Sequence, residues 1–164
     1  MSEPLAGAAF ASPIGELILV GSENGLREVR WHEDGLPPGA HARDCAVLDE
    51  TARQLRAYFA GELVRFDLPL DLVGTPFQLQ AWRALADVPF GTTVSYGEQA
   101  RRLGRPAAAR AVGAANGRNP VPIVLPCHRI VGADRSLVGF GGGLDRKHWL
   151  LEHEAKAAAR AAAG

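Results

Sequence analysis

The chain reads as an α+β protein. A small N-terminal α/β scaffold, an antiparallel sheet plus one helix, precedes a mainly helical unit that carries a helix-turn-helix and a cysteine-containing turn. Three observations predict this. β-rich runs fill most of the first 72 residues, with one amphipathic helix among them. From Thr75 onward the pattern changes to short capped helices separated by Gly and Pro. The charge also changes sign. Residues 1–94 hold seven Lys and Arg against thirteen Asp and Glu, residues 95–154 hold nine against five, and residues 155–164 add two positive charges. A net charge of zero therefore hides a basic second half, which favours a polyanionic partner there; ordinary surface charge is the plainer account. With 164 residues, 47% of them hydrophobic, the chain can fill one core or two small ones, and residues 1–72 and 76–160 are expected as separate domains.

In order, Ala8 to Ser12 reads as a short strand. Gly15 to Gly21 and Leu26 to Trp31 flank Ser22-Glu23-Asn24-Gly25, a hairpin signal. Residues 34–43, with Pro37-Pro38-Gly39, read as a mobile loop. Asp44 is placed to cap a helix from Cys45 to Ala60 with Leu48, Ala52, Leu55 and Phe59 on one face and Gly61 ending it. Cys45 is assigned to packing. Phe66 to Leu72 alternates like a final strand, and Pro69 marks it as an edge. Val73-Gly74 is the expected linker.

Thr75-Pro76-Phe77-Gln78 combines a capping residue, proline at the first helical position and glutamine at the third. The helix should run to about Asp87 and bury Phe77, Ala81, Trp82 and Leu85. Ser95-Tyr96-Gly97-Glu98 is a second capping box, opening a helix to Leu103. Gly104-Arg105 turns the chain, and Pro106 is expected to start the next helix, to Asn116. Two short helices joined by a tight Gly-containing turn are a helix-turn-helix signal, a pairing also found in purely structural bundles. At 100° per residue Ala108, Val112 and Ala115 point inward, while Ala107, Arg110, Gly113 and Ala114 point out. A helix reading bases in the major groove needs several Asn, Gln, Arg or Lys side chains there. Small residues with one arginine suit close approach to the minor groove, without sequence specificity.

The string Asn119-Pro-Val-Pro-Ile-Val-Leu-Pro126-Cys127-His128-Arg129-Ile130-Val131-Gly132 holds the second of two cysteines. Its prolines predict an extended approach, with Ile123 to Leu125 threaded through the interior. A thiol reacts as the thiolate and needs a base or a positive field; a buried packing cysteine is the competing account. Chain-adjacent His128 need not be that base, because neighbours on an extended backbone point to opposite faces. His128 to Val131 should be a short strand. On the last helix, from about Leu144, the residues Leu144, Leu150 and Leu151 form one stripe. Glu154 points inward and Glu152 to water. An inward acid needs a partner, for which His128 and Lys147 compete. Beyond Lys156 the Ala/Arg tail is expected to fray.

The string Asn-Pro-x-Pro-x-x-x-Pro-Cys-His-Arg-x-x-Gly resembles the active-site signature of the O6-alkylguanine-DNA alkyltransferases, the methylated-DNA–protein-cysteine methyltransferases. The likeness extends through Ser95-Tyr96, Ala107 to Gly113 and Gly141-Gly142-Gly143-Leu144. It covers the C-terminal half well and the N-terminal half loosely. It implies irreversible, single-turnover transfer of the O6-alkyl group of guanine to Cys127 after the nucleotide has left the stack. O4-methylthymine is a further candidate substrate. Residue by residue, the resemblance implies a Cys127–His128–Glu154 relay with a water between thiol and imidazole. Tyr96 would protonate the leaving base and Asn119 would brace the turn. The carbonyls of Cys127 and Ile130 and the N–H of Gly141 would grip the guanine beside Phe140. Arg110 would fill the gap left in the duplex, with Ala107, Ala114 and Arg105 beside it on the DNA and Tyr96, Gly97 and Ala133 completing the contact.

Alkylated double-stranded DNA is thus the expected partner, met by a monomer, with no metal or diffusible cofactor. Some family members carry an N-terminal zinc site, and no ligand spacing for one is present here. No apolar run is long enough to cross a membrane and the start lacks an export signal, so with two unpaired cysteines a reducing cytoplasm is the expected compartment. Two other readings stay open. One is a helix-turn-helix module that binds DNA or lesions without catalysis; the cysteine counts against it, since inactive proteins resembling this family carry tryptophan there. The other is a Cys-His-Glu hydrolase working through an acyl-thioester.

Overall fold

The computed structural model describes residues 4–134 and 136–164. The chain divides into two compact units, Met1–Val73 and Gly74–Gly164.

The first unit is a four-stranded sheet in the order β3-β2-β1-β4, with one helix on it. Strand β1 (Leu5–Ser12) pairs antiparallel with β2 (Gly15–Ser22), which pairs antiparallel with β3 (Gly25–Trp31). Leu17, Leu19, Leu26, Val29 and Trp31 are buried, and helix α1 (Ala46–Phe59) lays Leu48, Thr51, Leu55 and Tyr58 against them. The packing is close. A Cβ built on Gly21 would lie 2.9 Å from Val47 Cγ1, so glycine lets α1 rest directly on β2.

Four expectations need correction here. Residues 34–43 are not all loop, because β4 (Ala40–Ala42) runs parallel to β1 and makes the sheet mixed. Three residues are too few to show a period. Asp44 does not cap α1; Cys45 precedes the helix and no side chain caps it. The inner face of α1 carries Thr51 and Tyr58 in place of Ala52 and Phe59, which are only half-buried. Phe66 to Leu72 keeps its alternation but joins no ladder. Its backbone bonds to the Gln54 amide instead, with Nε2 donating to Asp67 O at 2.8 Å and Asp67 N donating to Oε1 at 2.9 Å. Beyond that it meets β3 only through Leu26, whose N donates to Pro69 O and whose O accepts from Asp71 N. Proline at 69 has no N–H to extend the pairing.

The second unit opens with α2 (Pro76–Ala84), started by a complete Thr75/Gln78 capping box and tightened at its end over Leu85–Asp87. Strand β5 (Val94–Ser95) leads into α3 (Tyr96–Arg102), followed by α4 (Ala109–Gly117). Ser95 accepts from Glu98 N, but the Glu98 carboxylate pairs with Arg101 and Arg102 instead of closing the box. Gly104, at φ 73°, ends α3. The next helix begins at Ala109, later than Pro106, because Pro106-Ala107 forms a turn closed by Ala108 N to Arg105 O at 2.9 Å. Buried Gln99 and Asn116 exchange amide hydrogen bonds of 3.2 and 2.8 Å and lock α3 to α4. Trp82 Nε1 donates to Ala115 O at 2.7 Å and ties α2 to the same helix.

Helix α5 (Leu144–Ala163) closes the unit. Its buried stripe is Lys147, Leu150, Glu154 and Ala157; Leu144 is exposed at 48% and Leu151 half-buried. The helix continues past Lys156 to Ala163. No helix among the described residues is long and apolar enough to cross a membrane.

Candidate active site

Every residue from Val121 to Val131 is buried. The approach to Cys127 is a tight turn, not the extended segment that the prolines suggest. Leu125 N donates to Val121 O at 3.0 Å, and Ile123 adopts φ 75°. A β-branched residue in the left-handed region is strained by roughly 1–3 kcal/mol, and such strain persists only where the surroundings over-determine it. Asn119 supplies part of that constraint. Its Nδ2 donates to Leu125 O at 2.8 Å, and its Oδ1 accepts from Val121 N at 3.0 Å. Cys127–Arg129 then form a single 3₁₀ turn, so Cys127 and His128 diverge around a helix rather than across a strand. Strand β6 (Ile130–Val131) follows and pairs parallel with β5, Val94 opposite Ile130. That pairing sets Tyr96, one residue past β5, beside the cysteine turn.

Tyr96 and Cys127 line a cavity of about 140 Å³ together with Gly113, Asn116 and Gly117 of α4 and Gly139, Phe140 and Gly141 of the following loop. Two wider surface clefts, about 410 and 530 Å³, lie on the first unit; the larger includes half-buried Cys45 but no His, and the smaller includes His41 but no Cys. The glycines keep side chains out of the site. A Cβ on Gly113 would already touch the Tyr96 ring at 3.7 Å. The Tyr96 hydroxyl donates to Val138 O at 2.9 Å. Burial, and then the neighbouring thiol's charge when ionised, hold its phenol above the ordinary range.

Cys127 is 7% exposed, and burial pushes its thiol up to about 11 despite a hydrogen bond from Asn119 and the nearby Lys147 ammonium. Behind it, His128 Nε2 lies 2.6 Å from Glu154 Oε2, with both side chains fully enclosed. Arg129 grips the same carboxylate, Nε to Oε1 at 2.8 Å and Nη2 to Oε2 at 3.1 Å. Burial would raise the Glu154 pKa, but His128 and Arg129 outweigh it and hold the acid ionised. His128 is lowered, by burial first and by the Arg129 and Lys147 charges, against the pull of Glu154. A neutral imidazole facing an ionised carboxylate donates from Nε2, leaving Nδ1 as acceptor. Nδ1 is buried with no hydrogen-bond partner among the described residues.

The competing contact for Glu154 is absent. Lys147, fully enclosed, donates instead to Val138 O at 2.8 Å and Gly139 O at 3.1 Å, with its ammonium 5.9 Å from the Tyr96 ring centre. Glu152 points to solvent near His148. Of the other residues singled out in the sequence, Ile130 is buried at the exit of the turn, and Ala107, Arg110 and Ala114 are exposed on or just before α4. Arg105 is exposed and lies over the Phe77 ring, Gly97 is half-buried on α3, and Ala133 is exposed. The motif gives Arg129 no role. Its burial within the run from Val121 to Val131 is visible only in the structure, and a charge there must have a partner. Among the described residues no three His, Cys, Asp or Glu side chains are grouped as metal ligands.

Comparison with known proteins places this architecture. Residues 76–156 match the family described as 6-O-methylguanine DNA methyltransferase, DNA binding domain, and residues 7–72 its ribonuclease-like domain. A methylated-DNA–protein-cysteine methyltransferase of Mycobacterium tuberculosis is 50% identical over 145 residues, 87% of this chain and 88% of that one. One of Methanosarcina acetivorans is 46% identical over 150 residues, 90% and 96% of the two chains. The crystal structure of Mycobacterium tuberculosis OGT in complex with DNA superposes with a TM-score of 0.87 at 47% identity, covering 93% of this chain and 94% of that chain. Both halves of the chain match, and the thiol, the cavity and the buried His–Glu pair lie within the matched C-terminal domain: the chain belongs to the 6-O-methylguanine DNA methyltransferase family.

Proposed function

We propose that the chain is a DNA repair alkyltransferase that moves the O6-alkyl group of guanine, and the O4-methyl group of thymine, from DNA onto its own Cys127, once per molecule. The observation that carries this is the placing of a single buried thiol at a small cavity walled by α4 and a glycine loop, with an enclosed His–Glu pair behind it.

The target oxygen sits on the pairing edge of the base, so the nucleotide must leave the stack to reach Cys127. Exposed Arg110, on a helix face otherwise of Ala and Gly, fills the space it leaves, while the small residues approach the minor groove. Arg105, Ala107, Ala114, Gly97 and Ala133 contact DNA around it. The contacts go mainly to phosphate and a poorly coded groove, so binding is independent of sequence. In the cavity, the carbonyls of Cys127 and Ile130 and the N–H of Gly141 hold the guanine, with Phe140 alongside. The resting thiol is protonated. His128 Nδ1, through one water, accepts its proton, and Glu154 stabilises the imidazolium that forms. The thiolate sulfur bonds to the alkyl carbon as the carbon–O6 bond breaks. Tyr96 turns its hydroxyl from Val138 O to a ring nitrogen of the base and neutralises the leaving anion. The product is a thioether, which has no carbonyl for water to attack, so the thiol does not return.

Excess O6-methylguanine duplex should therefore add at most one methyl per molecule, seen by mass spectrometry as one methylene increment on the Cys127 peptide. Repeated turnover, or a mark on Cys45, would overturn the proposal.

A further inference from the structure

Arg129 has no part in the bond changes just described, yet it is only 5% exposed and bonded to two other segments. Its Nε and Nη2 fork onto both oxygens of Glu154 in α5, and its Nη1 donates to Val88 O at 2.7 Å in the segment between α2 and β5. Its guanidinium carbon lies 5.5 Å from the Phe90 ring centre. Stability alone is a poor reason for such an arrangement, because buried ion pairs are often no better than apolar groups of the same volume. The shared carboxylate suggests a different reason. Glu154 Oε2 receives both His128 Nε2 and Arg129 Nη2, so the two cations compete for one oxygen.

We infer that Arg129 is a positioning residue for the relay: its fork fixes the plane of the Glu154 carboxylate against the His128 ring, and its charge keeps the imidazole neutral, with the proton on Nε2 and Nδ1 open to receive the thiol's proton. The inference rests on the alkyl transfer at Cys127 proposed above. A carboxylate 2.6 Å from an enclosed imidazole, with no second cation, would draw another proton onto the ring, and an imidazolium cannot act as the base. Among the described residues, the charged groups acting on His128 are Glu154 and Lys147 from α5 and Arg129 from its own turn. Lys147 acts in the same sense as Arg129, but it is held on the Val138 and Gly139 carbonyls and stays in place when Arg129 is changed.

The test combines ¹⁵N NMR of His128 with the pH dependence of Cys127 alkylation by free O6-benzylguanine, a probe that needs no DNA. At neutral pH the unaltered protein should show the neutral Nε2–H tautomer. In Arg129→Met, the titration of His128 and the acid limb of the rate profile should both move up by about one pH unit. Arg129→Lys keeps the charge and loses the fork, so the limb should stay while the maximal rate falls several-fold; it also carries the comparison should the methionine variant not fold. An imidazolium or an Nδ1–H tautomer in the unaltered protein would overturn the inference. So would an Arg129→Met protein that loses only thermal stability with both pH midpoints unmoved, since that is what a plain strut predicts. If the unaltered protein never labels Cys127, alkyl transfer is the reading that fails, while the NMR titrations still decide the role of Arg129.

Discussion

The two units bury polar side chains very differently. In the first, the buried polar residues among those described are Thr51 and Gln54, both uncharged and both satisfied by backbone within the same unit. In the second they are Gln99, Asn116, His128, Arg129, Lys147 and Glu154, four of them ionisable; His128 and Arg129 meet on Glu154, and the Lys147 charge acts on Cys127. The first unit is ordered by apolar burial, which tolerates change so long as volume is kept. The second holds desolvated charges that do little for stability and lose much when one partner is removed. Substitutions in the sheet unit should therefore alter only how much protein is folded, whereas those in the charged cluster should alter what the folded protein does as well as its stability.

Five measurements test that contrast. The largest effect should come from Cys127→Ser, which should still bind methylated duplex yet transfer little, because a serine hydroxyl stays protonated where a thiol can ionise; a methylated serine peptide at the unaltered protein's rate would contradict it. Glu154→Gln should come next, costing about 3–5 kcal/mol in urea denaturation by leaving Arg129 without its counter-charge. Because Glu154 is held below the ordinary carboxylate range, its contribution is present above about pH 4.5 and lost as pH falls through the folded value. The glutamine variant should lack that part of the acid destabilisation. Leu55→Ala, at a fully buried scaffold position, should cost about 2–5 kcal/mol and leave the alkylation rate per folded molecule unchanged. A changed rate there would mean that the units are not independent in the way their cores suggest.

Arg110→Ala should weaken repair in duplex DNA by an amount up to a few kcal/mol of unstacking energy, and should leave reaction with free O6-benzylguanine alone. Equal losses on both substrates would remove the arginine from base extrusion. The smallest effect belongs to Glu152→Gln, which should stay within about 0.5 kcal/mol and leave the rate–pH profile in place, because that side chain faces solvent.

Where the sequence was readable, a period or a cap made it so. The β2–β3 hairpin followed from Ser22 to Gly25, and the start of α2 from Thr75 and Gln78. The opposite fates of Glu152 and Glu154 followed from helical phase alone. What escaped was fixed by tertiary partners. The strand β4 is an edge of three residues after Pro-Pro-Gly, and the segment from Phe66 to Leu72 spends its hydrogen bonds on Gln54. The φ of Ile123 runs against its own preference and is held by a turn that Leu125 N closes onto Val121 O and that Asn119 braces. Leu144, expected on the inner stripe of α5, is exposed, and Lys147, expected there as a rival partner for Glu154, gives its ammonium to two loop carbonyls instead. Arg129 carries no role in the motif, and its bond to Glu154 depends on the fold of the turn.

On the single transfer to Cys127 proposed above, the protein must survive the time before its lesion arrives. Thiols are lost to oxidants in proportion to their exposure and their thiolate character, and sulfinic and sulfonic products are not readily reversed. Cys127 is enclosed and its thiol is pushed up to about 11, so at neutral pH it offers peroxide almost no anion. In the proposed transfer, the desolvation that slows the resting thiol would thus also be its preservative, keeping it chemically quiet until a substrate fills the cavity.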